Sequence, residues 1–273
     1  MGVLIAPGIG GFLLALGSLG TLAILIVMVR REPHIHTITM AAGALAWVVG
    51  NLLWALGLPI FQIVFLWMAF LILTIGGERL ELNRVLRPKP AQINMFILGA
   101  VALFTGAILA VFHLEWGSRL SGLSMLILSI WFLRNDLATR NIRHANLLTR
   151  YIAFCLFCGF VWLGIGGVLH LIFGATYAGP LYDAALHAIF VGFVMSMIFG
   201  HAPIIFPAIL GRQVRYHSAF YGQLVLLHLS LALRVAGDLT GQFDIRRWGG
   251  LLNEVAILLF LGMTVYSIVR GSD

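Results

Sequence analysis

Long apolar runs separated by short polar clusters set the character of this chain. The runs cover residues 8–29, 38–57, 58–76, 93–112, 119–133, 151–173, 182–206, 217–237 and 248–269. A helix crossing a bilayer needs about 20 predominantly apolar residues. The pattern therefore predicts an all-α fold, a polytopic transmembrane helix bundle of about nine spans forming a single integral membrane domain over 1–273. Two places test that count. The run 119–133 is short for a crossing, and 38–57 is parted from 58–76 only by the turn Gly57-Leu58-Pro59.

Composition agrees with the pattern. Hydrophobic residues make up 61% of the chain and charged residues 10%, with a mean hydropathy of +1.02. A soluble domain carries about a quarter charged residues, so this inventory cannot cover a water-exposed surface. A net charge of +7 would suit nucleic acid, but the basic residues sit in short clusters between apolar runs, the pattern of membrane topology. The expected partner is the lipid bilayer, with no nucleic acid.

Alternate loops divide the basic residues unevenly. Arg30, Arg31, Arg79, Arg84, Arg87, Lys89, Arg134, Arg140, Arg143, Arg150, Arg212, Arg215 and Arg270 fall on one side, and Arg119, Arg234, Arg246 and Arg247 on the other. The positive-inside rule then predicts an N-terminus outside and a C-terminus in the cytoplasm of a bacterial inner membrane. The first span lacks a preceding positive charge, is long, and is followed by Arg30-Arg31, so it is expected to be a span and not a cleavable signal peptide. The loops at 76–92 and 134–150 are expected to be solvated, basic interfacial segments too small for a catalytic domain. Any chemistry must come from side chains inside the membrane.

Polar residues within spans are costly and functional by default, and histidine is the conspicuous one here. Of nine histidines, His144 lies in a loop; His34, His36, His113, His170, His187, His201, His217 and His228 sit within spans or at their ends. On an ideal helix His187 and His201 are about 40° from eclipsed and about 21 Å apart along the axis. His217 and His228 share a face of the next span in the same way. If the first of these helices ends near Pro203, the two spans form a hairpin. His201 then meets His217 in depth, and His187 comes within about 4.5 Å of the depth of His228. Two levels of imidazole across a membrane suit haem, for which histidine is a common axial ligand. Neighbouring Gly192, Gly200, Gly164, Gly166, Gly167 and Gly222 would admit a flat macrocycle, and serve ordinary helix packing equally well. His34 and His36 on the inner side, and His113 and His170 on the outer, are alternative metal ligands at suitable depths. The plain reading is that all these imidazoles satisfy buried polar groups or sit at the interface. Cys155 and Cys158, at i and i+3 within one span, are small packing residues or a thiolate metal site.

Asp183, Arg234, Asp238 and Glu254 form a second cluster toward the outer surface. Arg234 and Asp238 are spaced to pair on one helix face. Arg234 would otherwise bind a haem propionate or neutralise Glu254.

The His34-x-His36 pair that opens the second span, with "LHAIFVGFVMSMIFG" at 186–200, resembles the NnrS family of haem- and copper-containing membrane proteins, itself distantly similar to haem–copper oxidases. His34, His36 and His187 match that pattern, and the turn at 210–217 keeps Gly211 and Arg212 with His217 beside them. The resemblance implies haem b, with copper as a further metal, and a part in nitric oxide response. The His-Pro-Glu and His-His signatures of oxidase active sites are missing, so oxygen reduction is not implied. The leading expectation is a bacterial inner-membrane haem protein for electron transfer or diatomic-gas handling, ligated by His187, His201, His217 and His228 and served by a redox partner. Two other classes stand beside it. One is a transporter or channel moving protons or metal through intramembrane His and Glu254. The other is a non-catalytic membrane subunit or assembly factor of a respiratory complex.

Overall fold

The computed structural model describes residues 7–211 and 217–270, with the side chains of 7–9, 210, 269 and 270 left aside. Arg212 and Arg215, counted above among the basic residues, lie outside the described residues. Among the described residues the chain is helical throughout, without strands, and nine helices are long and apolar enough to cross a membrane. The expected polytopic all-α bundle is what the chain forms.

The helices are α1 (Pro7–Arg31), α2 (Ile35–Ala55), α3 (Ile60–Leu82), α4 (Pro90–Phe112) and α5 (Leu114–Asn135), then a short α6 (Leu137–Arg140) and α7 (Leu147–Phe173). There follow α8 (Pro180–His187), a π-helical segment (Ala188–Val194) and α9 (Met195–Leu210), which together make one crossing, and finally α10 (Phe220–Thr240) and α11 (Phe243–Arg270). The spans at 38–57 and 58–76 stay separate because Gly57 takes φ +92°, a conformation that a side chain disfavours, and Pro59 caps the next helix. The short run at 119–133 is the apolar part of a full crossing, α5, whose first turn carries Glu115.

Residues fall into two compact units, 1–131 with 167–177 and 132–166 with 178–273. In the first unit α2 packs along α1 and α3, and α4 along α3. Small residues allow a close approach between α5 and the 167–173 end of α7 in the same unit. A Cβ on Gly122 would lie 2.6 Å from the Gly167 carbonyl oxygen, and one on Gly167 would lie 2.7 Å from that of Gly122. Bilayer lipid is as apolar as leucine, so tight backbone contact replaces the hydrophobic effect as the force between helices. In the second unit α10 and α11 form an antiparallel hairpin, and α8 with the π-helical segment packs on α10.

The loop segments are less solvated than expected. Arg79 is only 6% exposed and Asn83 1%, because α3 continues through them to Leu82 and a 3-10 turn, and Arg87 then takes φ +50°. In the second unit Asp136 is fully buried and accepts the Ala138 N–H as the N-cap of α6. That bond satisfies one of the donors every helix start leaves open.

Candidate functional site

The crossing 180–210 carries two of the proposed ligands, and its local geometry departs from an ideal helix. Across Ala188–Val194 the backbone bonds run from i to i+5, as in the Met195 N–H to the Phe190 carbonyl. Such a turn holds one residue more than an α turn. It therefore takes about 100° out of the rotation between flanking residues, so His187 and His201 end up about 140° apart rather than on one face. The same-face expectation fails for this reason. π-helical turns inside α-helices are rare and cluster at functional sites. Here the widened turn is packed by Trp162 of α7, whose Cγ would lie 2.5 Å from a Cβ on Gly192.

The hairpin register holds at one end only. Arg234 donates to Asp183 at 2.8 Å, which sets α8 against α10. His187, one turn beyond Asp183, and His228, six residues before Arg234, then lie within about 3 Å in depth. At the other end the helix does not stop near Pro203. It runs through Pro203 and Pro207, neither of which can donate a backbone hydrogen bond, to Leu210 and a left-handed Gly211. His201 is thereby nine residues from the helix end, and His217 sits exposed in the turn before α10. The expected His201–His217 level is not formed, because the hairpin turn has moved.

Hydrogen bonds assign the imidazole nitrogens. His187 Nδ1 lies 2.8 Å from the Asp183 carbonyl oxygen, and His201 Nδ1 lies 2.7 Å from that of Met197. A carbonyl only accepts, so both rings donate from Nδ1 when neutral and keep the lone pair on Nε2. Metal-ligating histidines show this arrangement almost always. His228 is the reverse. The Trp162 indole donates to its Nδ1 at 3.0 Å, which puts the proton of the neutral ring on Nε2, and that nitrogen is buried with no partner among the described residues. His228 therefore presents a buried N–H donor and not a ligand. Trp162→Phe would strip Nδ1 of its donor and is expected to cost about 1–3 kcal/mol, read as a lower thermal midpoint in detergent. In His228→Leu the same Trp162→Phe change should have a much smaller effect.

In the first unit His170 is 2% exposed, with Nδ1 3.3 Å from Ser118 Oγ and its ring edge-on to Phe65 at a centroid distance of 5.0 Å. His34 and His36 stack at 5.4 Å, His36 Nε2 lies 3.9 Å from Glu81 Oε2, and both rings line a cavity of about 250 Å³ with Arg84 and Pro88. His113 is exposed at the end of α4. Cys155 is buried, Cys158 half-buried, and neither forms a disulfide. Among the described residues no three His, Cys, Asp or Glu side chains are grouped so as to hold a metal ion. The glycines named for a macrocycle mostly pack helices instead. Gly200 faces Leu156 and Cys155, Gly166 faces Ile189 and Gly167 faces Gly122, while Gly222 meets open space.

The charged cluster also pairs differently from expectation. Arg234 does not pair with Asp238 on its own helix. Both Arg234 and Arg246 reach Asp183 Oδ2, at 2.8 and 2.5 Å, and Arg246 Nε lies 2.8 Å from the fully buried Asp238. Helix spacing alone could not show this, because Arg246 comes from α11. Glu254 is exposed and shares a cavity of about 240 Å³ with Arg234, Arg246 and Arg247. Gln223, Ser230, Asn253 and Thr264 of this unit are buried and polar as well and were not among the expected site residues. Their signal was present as polar positions at helical spacing within apolar spans.

A family model described as a domain of unknown function, DUF8744, matches residues 3–269. The chain belongs to this family. No curated protein and no solved structure matches it. The DUF8744 match covers every described helix, so the π-helical turn, both histidines that donate from Nδ1 and the Asp183 cluster all lie within the family's own domain.

Proposed function

We propose that this DUF8744 protein is a haem protein of the bacterial inner membrane that handles a diatomic gas or electrons, and that His187 and His201 would hold the haem iron through Nε2. The observation that carries the reading is the pair of Nδ1 bonds to the carbonyls one turn back, at Asp183 and Met197. Those bonds fix the ring orientation and raise ligand basicity, as second-shell partners do. With about 21 Å of helix between them, the two rings would serve separate sites.

The residues present fit haem better than copper. A single imidazole nitrogen would suffice to hold haem iron, whereas the described residues supply no three-donor set. When bound, haem would supply reversible one-electron chemistry and a position for a small gas. Toward it this chain offers His187 as the base and, at similar depth, His228 Nε2–H as a hydrogen-bond donor. Trp162 holds that donor by occupying Nδ1. Arg234 is already paired with Asp183, which argues against a propionate as its main partner. The short resemblance to NnrS proteins at His34, His36 and His187 is in keeping with this reading.

The test is a reduced-minus-oxidised visible spectrum of detergent-purified protein from haem-replete cells, with a pyridine haemochrome assay and a carbon monoxide difference spectrum. Expected are b-type α-bands diminished in His187→Ala and in His201→Ala, and a carbon monoxide shift lost in His187→Ala. A His228→Leu variant should keep its haem but bind the gas more weakly. A colourless protein with no iron would end the proposal. A spectrum unchanged by both alanine variants would end the ligand assignment.

A further inference from the structure

The α10–α11 hairpin carries a polar seam that neither its packing nor the haem reading uses. Three contacts fix its register: a Cβ on Gly237 would run into the Arg246 backbone, Gly249 lies against the Arg234 backbone, and Ser230 Oγ bonds Asn253 Oδ1 at 2.6 Å. In that register Leu227 is level with Ala256, and Gln223 with Phe260. The facing stripes are then Asp238, Arg234, Ser230, Leu227 and Gln223 on α10, and Gly249, Asn253, Ala256, Phe260 and Thr264 on α11. The polar members among them run from Asp238 at one end to Thr264 at the other, about 28 Å along the axis, close to the thickness of a bilayer's hydrocarbon core.

Each of the polar members except Ser230 keeps at least one buried polar atom without a partner among the described residues. Gln223 is 2% exposed with both amide atoms unsatisfied, and Asn253 Nδ2, Thr264 Oγ1, Arg234 Nε and Asp238 Oδ2 are unsatisfied as well. Helix packing explains Gly237, Gly249 and Ala256, since small residues bring helices together. It does not explain a glutamine with four open hydrogen-bonding positions in a hydrocarbon environment, which costs several kcal/mol unless a partner arrives. Buried polar groups of this kind are satisfied by ordered water. Between the levels of Ser230 and Gln223 the axial separation is about 10 Å, the length of about three hydrogen-bonded waters in file. The charged end does not bar a cation. Asp183 and Asp238 balance Arg234 and Arg246, and His187 Nδ1 faces the same cluster at 3.7 Å from Asp183 Oδ1.

We propose that the α10–α11 seam holds a file of internal waters and conducts protons across the membrane-spanning part of the second unit, through Asp238, Asn253, Gln223 and Thr264. The proposal does not rest on haem, since none of these residues is a ligand candidate. Transfer along the file moves one proton from each water to the next, leaving the side chains chemically unchanged.

The experiment uses the full chain in liposomes loaded with a pH-sensitive dye, with a potassium gradient and valinomycin supplying the driving potential. Wild-type vesicles should acidify well above empty ones. Gln223→Leu and Asn253→Leu should each slow this about ten-fold, the scale expected when one water loses a hydrogen-bonding partner. Thr264→Val, of nearly the same shape, gives a third reading should either leucine variant fail to give monodisperse protein, and Gln223→Ser should retain most of the flux. Wild-type flux no greater than that of empty vesicles would overturn the proposal. Unchanged flux in folded Gln223→Leu and Thr264→Val would overturn it equally.

Discussion

Asp183→Ala is expected to destabilise the detergent-purified protein by about 3 kcal/mol, at the low end for breaking a buried ion pair because the carboxylate retains some exposure. Its Oδ2 accepts from both Arg234 and Arg246, so one substitution removes a partner from two guanidinium groups on two different helices. Arg246 keeps Asp238, 2.8 Å from its Nε. Arg234 keeps only its longer-range attraction to Asp238, and its Nε is already buried and unsatisfied. A double change, Asp183→Ala with Arg234→Met, removes one stranded charge along with its partner and should recover part of the loss. Thermal unfolding of wild type, Asp183→Ala, Arg234→Met and the double variant in one detergent gives the coupling directly. Additive losses would mean that the pair holds the second unit less firmly than its geometry indicates. On the proposed haem reading, the same substitution should lower the haem content less than His187→Ala does, because the Asp183 carbonyl that His187 Nδ1 bonds remains.

Gly122→Val should prevent the first unit from packing. Gly122 and Gly167 face each other so closely that either Cβ would reach the other's carbonyl oxygen at 2.6–2.7 Å, backbone that cannot move aside as a side chain can. Overpacking a well-filled contact costs about 1–3 kcal/mol, and the branched side chain of valine brings two further methyl groups into the same gap. The expected result is a steep fall in monodisperse protein after extraction, with Gly122→Ala intermediate. Gly262→Val is the control. It also adds a branched residue to a spanning helix, but nothing lies within 4 Å of its Cβ position, so its yield should match wild type. Equal yields from Gly122→Val and Gly262→Val would show that the close approach of these backbones is not needed.

The histidines illustrate how far a sequence reading goes. That imidazoles lie inside the spans was legible, because a polar residue within an apolar run stands out in one dimension. Their pairing was not. The expected shared face of His187 and His201 assumed 100° at each step, and one π-helical turn removes about one step. The expected meeting of His201 and His217 assumed that Pro203 ends the helix. The helix instead passes both prolines, which deletes individual hydrogen bonds without stopping the rotation. Nor could spacing reveal that Trp162, 66 positions away, sets the tautomer of His228.

Sequence by itself determined that this protein is a bundle of apolar helices, where most of them begin and end, and which polar residues lie inside them. Hydrocarbon has no hydrogen bonds to offer, so about 20 apolar residues in a row leave the backbone little alternative to a helix. The tertiary structure decided which polar groups meet. Asp183 receives two arginines from separate helices, Ser230 finds Asn253, and Gln223 finds nothing among the described residues. Those outcomes depend on the register and rotation of one helix against another. Register is set by contacts such as Gly237 on Arg246 and Gly249 on Arg234, which bring together positions that no single-helix periodicity relates.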